Sequence, residues 1–257
     1  MNNRFAGKVA LVTGGGSGIG RAVALALAAE GATVAVAGRS QEALAETVKL
    51  IETADGTASY VTADVTDPSD VAQLVSTVVS RHNGLHLAVN NAGIIGAVAP
   101  VADFDDAIWS QVLATNLTGV YLSMKHEIRH MRSAGGGAIV NIASNIGAHS
   151  RRAGMAAYIS AKAGVSALTR VAARDHAADN IRINAVSPGP SDTQMSLRPG
   201  ETEPERAARL ATMIPAGRVG ALSEIASAVL WLLAPESGFT LGHDLVVDGG
   251  VTTHPTW

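Results

Sequence analysis

The feature that most constrains the fold of this chain is a run of glycines between a predicted strand and a predicted helix. In VALVTGGGSGIGRAVALALA, Gly14, Gly18 and Gly20 follow an apolar run and open an amphipathic stretch. Glycine permits tight turns with positive φ and lets backbone amides approach a ligand closely. Because the free N–H groups of a helix N-terminus attract anions, this strand, turn and helix predict a site for the pyrophosphate of a dinucleotide.

Short apolar runs alternate with amphipathic stretches along the rest of the chain. Strands are predicted at residues 8–12, 33–37, 58–62, 87–90, 138–142, 182–185 and 244–247, because each run is short, apolar and mostly β-branched. Helices are predicted at residues 18–30, 41–53, 69–81, 105–131, 153–177 and 223–233. This alternation indicates one domain over residues 1–257, of α/β class with a doubly wound parallel sheet. Residues 191–220, rich in Pro, Glu and Arg, are predicted to form a substrate lid, or else a surface excursion.

The composition excludes several classes of function. The formal net charge of −3 gives no footprint for nucleic acid or an anionic membrane, and Lys125, Arg129 and Arg132 are interpreted as a solvated helix face. The chain has no cysteine, which excludes thiolate metal sites and cysteine nucleophiles, and no metal site is predicted. Since no apolar run is long enough to span a bilayer and the first residues lack a signal-peptide layout, a cytoplasmic protein is expected.

The end of the second predicted strand bears on the choice of dinucleotide. A carboxylate there binds the adenosine ribose and repels a 2′-phosphate. This chain instead has VAVAGRSQ, in which Gly38 is followed by Arg39 and Ser40. Because an arginine fork can clamp a phosphate, NADP(H) is favoured over NAD(H). The alternative is that Arg39 is solvated and stacks on adenine, with NAD(H) still accepted.

A tyrosine and a lysine lie one helical turn apart in MAAYISAKAG. Tyr158 and Lys162 share one face of the predicted helix, and Ser144 ends the strand before it. A nearby ammonium and an oxidised nicotinamide ring would lower the pKa of the phenol, which then exchanges a proton with an alcohol or a ketone. Ser144 would hydrogen-bond the substrate oxygen, and Lys162 would also hold the nicotinamide ribose. The alternative for the Tyr–Lys pair alone is a surface contact.

At these residues the chain resembles the short-chain dehydrogenase/reductase family over nearly its whole length. The resemblance rests on Thr13-Gly14-x-x-x-Gly18-Ile19-Gly20, Asp64-Val65, Asn90-Asn91-Ala92-Gly93, Asn116, Ser144, Tyr158-x-x-x-Lys162 and NAVSPGPSDT at 184–193. It implies a single-domain Rossmann fold with seven parallel strands and a catalytic tetrad of Asn116, Ser144, Tyr158 and Lys162. In the family, the asparagine kinks its helix and holds a water through its backbone, which extends a proton relay from the lysine.

The resemblance also implies roles for the flanking motifs. Asp64 is expected at the adenine amine with Val65 beside the ring, and Asn90 and Gly93 at the adenosine ribose. For Asn91 a structural role, bridging neighbouring strands, is the alternative. The predicted cofactor-binding set is Thr13, Gly14, Ser17, Gly18, Ile19, Gly20, Arg39, Ser40, Asp64, Val65, Asn91, Ala92, Gly93, Tyr158, Lys162, Pro188, Gly189 and Thr193, with Pro188 and Gly189 at the nicotinamide face and Thr193 at its carboxamide.

The predicted substrate pocket is mostly apolar and departs from many relatives at one loop. Its residues are Ser144, Asn145, Ile146, Met155, Pro190 and Met195. The loop after Ser144 is one residue longer than in many relatives and carries His149, Arg151 and Arg152, which either contact a polar or anionic substrate or, as favoured here, face solvent. Relatives acting on carrier-protein thioesters often have a basic residue where this chain has Gly135-Gly136-Gly137.

The expected function is hydride transfer between NADP(H) and a small secondary alcohol or ketone. One alternative is a 3-oxoacyl-[acyl-carrier-protein] reductase, and another is a non-catalytic dinucleotide-sensing regulator. The family resemblance implies a homotetramer that pairs the helices containing Asn116 and Tyr158. A second interface is expected at the C-terminus, where Trp257 is either an anchor or a disordered end.

Overall fold

A seven-stranded parallel sheet forms the centre of the protein. The computed structural model describes residues 3–198 and 200–253, so Trp257 lies outside the described residues. The strands are β1 (Val9–Thr13), β2 (Thr33–Gly38), β3 (Thr57–Thr62), β4 (Leu87–Asn90), β5 (Gly137–Ile142), β6 (Ile181–Pro188) and β7 (Asp244–Val247), in the order β3-β2-β1-β4-β5-β6-β7. The predicted doubly wound α/β fold is confirmed. Because the strand order reverses between β1 and β4, a crevice opens there at the carboxyl ends of the strands.

Helices cover both faces of the sheet. They are α1 (Gly18–Ala29), α2 (Gln41–Thr53), α3 (Pro68–His82), α4 (Asp106–Leu113), α5 (Gly119–Ser133), α6 (Ala156–His176), α7 (Glu203–Ala211) and α8 (Leu222–Leu233). Successive side chains of each strand enter opposite layers: Val12 packs with α1, α2 and α8, whereas Leu11 packs with α3, α5 and α6. Burial on both faces explains why the strands are almost continuously apolar.

Two predicted helical regions differ from the structure. The helix predicted at 105–131 is interrupted by a π-helical turn over Ala114–Thr118, which separates α4 from α5. The segment 191–220 is not wholly irregular, because α7 lies within it. Thr202 and Glu205 form a capping box at the start of α7, with Pro204 in its first turn, and this signal is readable in the sequence.

In the part of the chain that the structure describes, no helix has both the length and the apolar character needed to cross a membrane.

Candidate active site

The glycine turn after β1 leaves room for a ligand close to the backbone. Gly14 and Gly18 have φ values of +65° and +51°, a region that glycine adopts readily. A Cβ on Gly20 would lie 2.2 Å from the carbonyl oxygen of Gly14, so a side chain there is excluded. Within the described residues, Ser17 forms no side-chain capping bond at the start of α1, which leaves the first-turn amides available to an anion.

Thr13 and Asn91 join the ends of β1 and β4. The Thr13 hydroxyl oxygen accepts from the amides of Asn91 (3.0 Å) and Ala92 (3.3 Å). The Asn91 side chain donates to the carbonyl oxygens of Thr13 and Gly14, both at 3.1 Å. These bonds support the structural alternative for Asn91, which holds the glycine turn against β4.

The Asn90 side chain does not face the crevice, so it gives no support to the prediction that Asn90 borders the adenosine ribose. Its buried side chain donates to Glu127 Oε2 and to Asn141 Oδ1, each at 3.0 Å. Successive strand residues point to opposite faces, so Asn90 at the end of β4 enters the layer occupied by α5. Gly93, in contrast, lies near the catalytic side chains.

The groups predicted to bind the adenosine end lie after β2 and β3. Arg39 is exposed, and the Ser40 hydroxyl oxygen caps α2 by accepting from the Ala43 amide at 3.3 Å. Hydrogen bonds from the Thr66 amide and hydroxyl lower the pKa of Asp64, and the charge of Arg39 contributes to the same shift. Asp64 is therefore an ionised acceptor beside a free guanidinium face. The Val65 side chain is buried, and a Cβ on Gly119 would lie 2.8 Å from its Cγ2 atom.

Ser144, Tyr158 and Lys162 lie together beyond the end of β5. Ser144 follows that strand by two residues, and the other two lie in the first two turns of α6. The Ser144 hydroxyl lies close enough to the Tyr158 hydroxyl to lower its pKa. Lys162 Nζ lies 5.9 Å from the centroid of the Tyr158 ring and donates to the Ile142 carbonyl oxygen at 2.7 Å. The structure thus brings the three predicted catalytic side chains to one place.

Burial dominates the titration of the tyrosine and the lysine. Burial of its hydroxyl raises the pKa of Tyr158, and the Ser144 hydroxyl opposes only part of that rise. Burial lowers the pKa of Lys162 from 10.5 to about 8. The sequence predicts a lowered Tyr158 pKa, but the chain's own groups produce the opposite direction, because burial disfavours the phenolate more than its neighbours favour it.

Asn116 lies inside the π-helical turn and is buried. Its Oδ1 atom accepts from the Ile94 amide at 2.8 Å, and its Nδ2 atom donates to the Ile94 carbonyl oxygen at 2.7 Å. A Cβ on Gly93 would lie 3.0 Å from Asn116 Oδ1 and 3.6 Å from Lys162 Nζ. The helix kink implied by the family resemblance is present, and the Asn116 side chain ties it to the segment after β4.

The segment after β6 returns toward the glycine turn. A Cβ on Gly189 would lie 2.5 Å from Asp248 Cβ, so only glycine fits there. Thr193 Cγ2 lies 3.5 Å from the Cβ position of Gly18, which places Thr193 beside the predicted pyrophosphate site. Buried Arg206 of α7 donates to the Thr193 carbonyl oxygen at 3.1 Å and pairs with Asp192. The glycine turn, the tetrad and this segment together fit a nicotinamide dinucleotide.

The predicted pocket residues are placed unequally around this site. Met155 is buried at the start of α6, Ile146 and Pro190 are half-buried, and Met195 is exposed. Asn145 is buried, and its Nδ2 atom donates to Asp248 Oδ2 at 3.3 Å.

The basic loop residues also differ from one another. Arg151 and Arg152 are exposed, as favoured from the sequence, and Arg151 donates to the carbonyl oxygens of Gly147 and Ser150. His149 is not free in solvent, because its Nε2 atom bonds to the buried carboxylate of Asp244 at 2.9 Å. The sequence reasoning missed Asp244, although an acid at the start of an apolar strand was a readable signal.

A fully buried carboxyl group lies beneath the site and predicts a pH dependence of stability. Burial raises the pKa of Glu127 from 4.5 to about 7, and Asn90 opposes part of this shift. Among the described residues, Glu127 Oε1 and Asn90 Oδ1 are buried acceptors without a hydrogen-bond donor. A proton on Glu127 turns one of its oxygens into a donor and so reduces this shortage of donors.

Replacing this group by an amide is expected to flatten the stability profile. The unfolded chain ionises Glu127 near its ordinary pKa while the folded chain keeps the proton, so the wild type loses about 3 kcal/mol as pH rises from about 4.5 to about 7. Glu127→Gln removes that loss, and its stability relative to wild type therefore rises with pH. Urea unfolding at a series of pH values checks this; parallel profiles for the two proteins would show that Glu127 is ionised in the folded state.

Comparison with known proteins adds independent information. A sequence model of the family described as enoyl-(acyl carrier protein) reductase matches residues 14–252. The chain is 42% identical to cis-4-hydroxycyclohexanecarboxylate dehydrogenase of Sinomonas cyclohexanicum over 253 residues, covering 98% of this chain and 99% of that protein. It is 39% identical to cyclohexanol dehydrogenase of Acinetobacter sp. (strain SE19), with 98% of each chain covered.

A solved structure has the same fold over the same length. The crystal structure of levodione reductase superposes with a TM-score of 0.93 and 34% identity, covering 98% of this chain and 100% of that one. These relatives match this chain over nearly its full length.

Proposed function

Because the chain belongs to the short-chain dehydrogenase/reductase family of nicotinamide-dependent oxidoreductases, we propose that it transfers a hydride between NADP(H) and a secondary alcohol or its ketone. The observation that carries this proposal is the grouping of buried Ser144 and buried Lys162 around Tyr158, with Lys162 Nζ 5.9 Å from the centroid of the tyrosine ring. These groups lie at the carboxyl end of the sheet, where a dinucleotide on the glycine turn would place its reactive ring.

Each side chain of the tetrad has a proposed task. When bound, the nicotinamide supplies or accepts the hydride at the carbon that carries the substrate oxygen. Tyr158 gives a proton to that oxygen in ketone reduction and takes it back in alcohol oxidation. Ser144 donates a hydrogen bond to the same oxygen and stabilises its developing charge.

Lys162 and Asn116 support the tyrosine. The Lys162 ammonium has three donors, of which one is used by Ile142, so two are available to the ribose and the proton path. Its charge favours the phenolate and so opposes the effect of burial on Tyr158. Asn116 holds the kink beside Lys162, where the helix backbone would bind the water that continues the path.

Arg39 is proposed to select NADP(H) over NAD(H). The exposed guanidinium lies beside Ser40 and near Asp64, at the place where a 2′-phosphate would lie. Arg39→Ala removes a charge-assisted hydrogen bond worth about 1.5–3 kcal/mol. We therefore expect kcat/KM with NADP(H) to fall about 10- to 100-fold in this variant. Activity with NAD(H) should change little.

Steady-state kinetics with both cofactors test this assignment. Arg129→Ala, which removes an exposed arginine from α5, is the matched control and should leave the cofactor preference unchanged. An unaltered preference in Arg39→Ala would refute the role of Arg39 in reading the phosphate.

The proposed substrate is a small secondary alcohol on a saturated ring. The named activities of two relatives, on cyclohexanol and on cis-4-hydroxycyclohexanecarboxylate, support this class. Tyr158 also packs in an apolar cluster with residues of α4, including Ile108 and Trp109, which suits a hydrocarbon ring. A screen of ring and open-chain alcohols and ketones, followed by NADPH absorbance, tests it; a preference for open-chain compounds would contradict the ring class.

The carrier-protein alternative is supported by a relative that is 36% identical over 249 residues, a 3-oxoacyl-[acyl-carrier-protein] reductase of Thermotoga maritima. The glycines at 135–137 lack the basic residue often found in relatives that act on such thioesters. Direct comparison of a 3-oxoacyl-carrier-protein thioester with a cyclic ketone decides between them. The remaining alternative, a dinucleotide sensor, would bind the cofactor without turnover of any compound in the screen. The cytoplasmic location and the homotetramer stay predictions.

A further inference from the structure

A buried carboxylate joins three segments that surround the candidate active site. Asp244, the first residue of β7, has only 2% of its side chain exposed. Its Oδ1 atom accepts from the Ser187 hydroxyl at 2.6 Å, and its Oδ2 atom accepts from the Ser166 hydroxyl at 2.5 Å. His149 Nε2 is the third partner, at 2.9 Å from Oδ2. The His149 ring nitrogen and the two serine hydroxyls thus surround the carboxyl group.

Each partner of Asp244 is a short distance in sequence from a proposed functional residue. Ser166 lies one helical turn after Lys162, and its hydroxyl oxygen is 3.3 Å from the Lys162 carbonyl oxygen. Ser187 precedes Pro188, and His149 lies five residues after Ser144. The carboxylate therefore links the helix, the strand end and the loop that supply the site.

The loop carrying Ser144 is held by its own backbone and by bonds to other segments at two of its residues. We call residues 144–151 the serine loop. The amides of Gly147 and Ser150 donate within it, to Ser150 and Asn145 carbonyl oxygens at 3.1 and 2.9 Å. Among the described residues, the loop is bonded to other segments at two residues: Asn145, whose amide donates to the Pro188 carbonyl oxygen at 3.0 Å and whose side chain donates to Asp248, and His149. Beyond Asn145, His149 makes the only side-chain hydrogen bond from the loop to another segment of the described chain.

We propose that His149 and Asp244 form a clasp that positions the serine loop, so that the Ser144 hydroxyl stays directed at Tyr158. His149 and Asp244 are thus positioning residues rather than catalytic ones. Where it concerns turnover, this inference rests on the proposed role of Ser144. The geometry of the clasp itself stands independently of that role, because its bonds involve no group of the reaction.

Hydrogen exchange of the serine loop tests the clasp without any substrate. In His149→Leu, amide exchange of residues 146–151 is expected to accelerate about ten-fold, because the part of the loop beyond Asn145 loses its side-chain bond to another segment. His149→Gln can place an amide N–H near the position of Nε2 and should keep the wild-type rate. His176→Leu is the matched control, because His176 pairs with Asp179 at 2.8 Å at the far end of α6 and is equally exposed, at 23%.

Kinetics then test the positioning role. His149→Leu is expected to lower kcat about ten-fold with little change in cofactor Kd, whereas His149→Gln restores kcat. A structural collapse would weaken cofactor binding as well, and this distinguishes the two explanations. If His149→Leu does not fold, His149→Asn replaces it, because Asn is too short to reach Asp244 and should fall below His149→Gln in the same two measurements.

Three results would overturn the inference. These are unchanged loop exchange in His149→Leu, equal behaviour of His149→Gln and His149→Leu, or a loosened loop with wild-type kcat. Absence of turnover in the wild-type protein would instead count against the proposed function, and the exchange measurement would still report on the clasp.

Discussion

Tyr158→Phe is expected to lower kcat by about 10³-fold while cofactor Kd stays within about two-fold of wild type. The change removes only the hydroxyl, which lies near Ser144 and is the proposed proton donor and acceptor. The ring and its apolar contacts with α4 remain. Because the hydride transfer then lacks a partner for the proton, chemistry slows and cofactor binding does not.

Steady-state turnover and cofactor titration by fluorescence measure the two quantities. Tyr121→Phe is the matched control, because Tyr121 is 47% exposed on α5 and belongs to neither the proposed tetrad nor the predicted pocket. It should retain wild-type kcat. If kcat of Tyr158→Phe falls by only about ten-fold or less, Tyr158 is excluded as the acid and base.

Gly20→Ala is expected to weaken dinucleotide binding by at least about 100-fold, through loss of two charge-assisted hydrogen bonds to the pyrophosphate. An added Cβ would lie 2.2 Å from the Gly14 carbonyl oxygen and 2.5 Å from Asn91 Nδ2. The glycine turn must therefore move, and Asn91 loses its hold on it. The backbone of Gly20 has no positive φ, so the effect is a clash and not a backbone strain.

Isothermal titration with NADP(H) and NAD(H) measures this effect. Gly217→Ala is the control: it has a φ of +70° but no atom within 4 Å of an added Cβ, so it reports the general cost of replacing a glycine. It should bind the cofactor as wild type does. Equal affinities for Gly20→Ala and wild type would place the pyrophosphate elsewhere.

The sheet could be predicted from the sequence because its strands carry a local signal. All seven apolar runs correspond to strands, and the strand ends fix where the predicted groups meet. The side of a strand to which a polar residue points is less readable: Asn90 and Asn91 are neighbours, yet one is buried against α5 and the other holds the glycine turn.

Long-range pairing set the limits of the sequence prediction. The sequence favours a solvent-facing His149, since a partner that lies 95 residues away, Asp244, leaves no local pattern around the histidine. The pKa of Tyr158 depends on how deeply its hydroxyl is buried, which spacing does not reveal. The kink at Asn116 is expected only from the family resemblance, because the helical periodicity continues through the residues that form the π-helical turn. The capping box of α7, in contrast, was a local signal that was not used.

The central claim is that Tyr158 faces a nicotinamide ring held by the glycine turn, and a crystal structure with NADP(H) bound tests it most directly. The account predicts the pyrophosphate on the amides after Gly14, the 2′-phosphate at Arg39, and the Tyr158 hydroxyl opening toward the reactive face of the ring. A cofactor bound away from that turn, or a Tyr158 hydroxyl separated from the ring by other side chains, would contradict it.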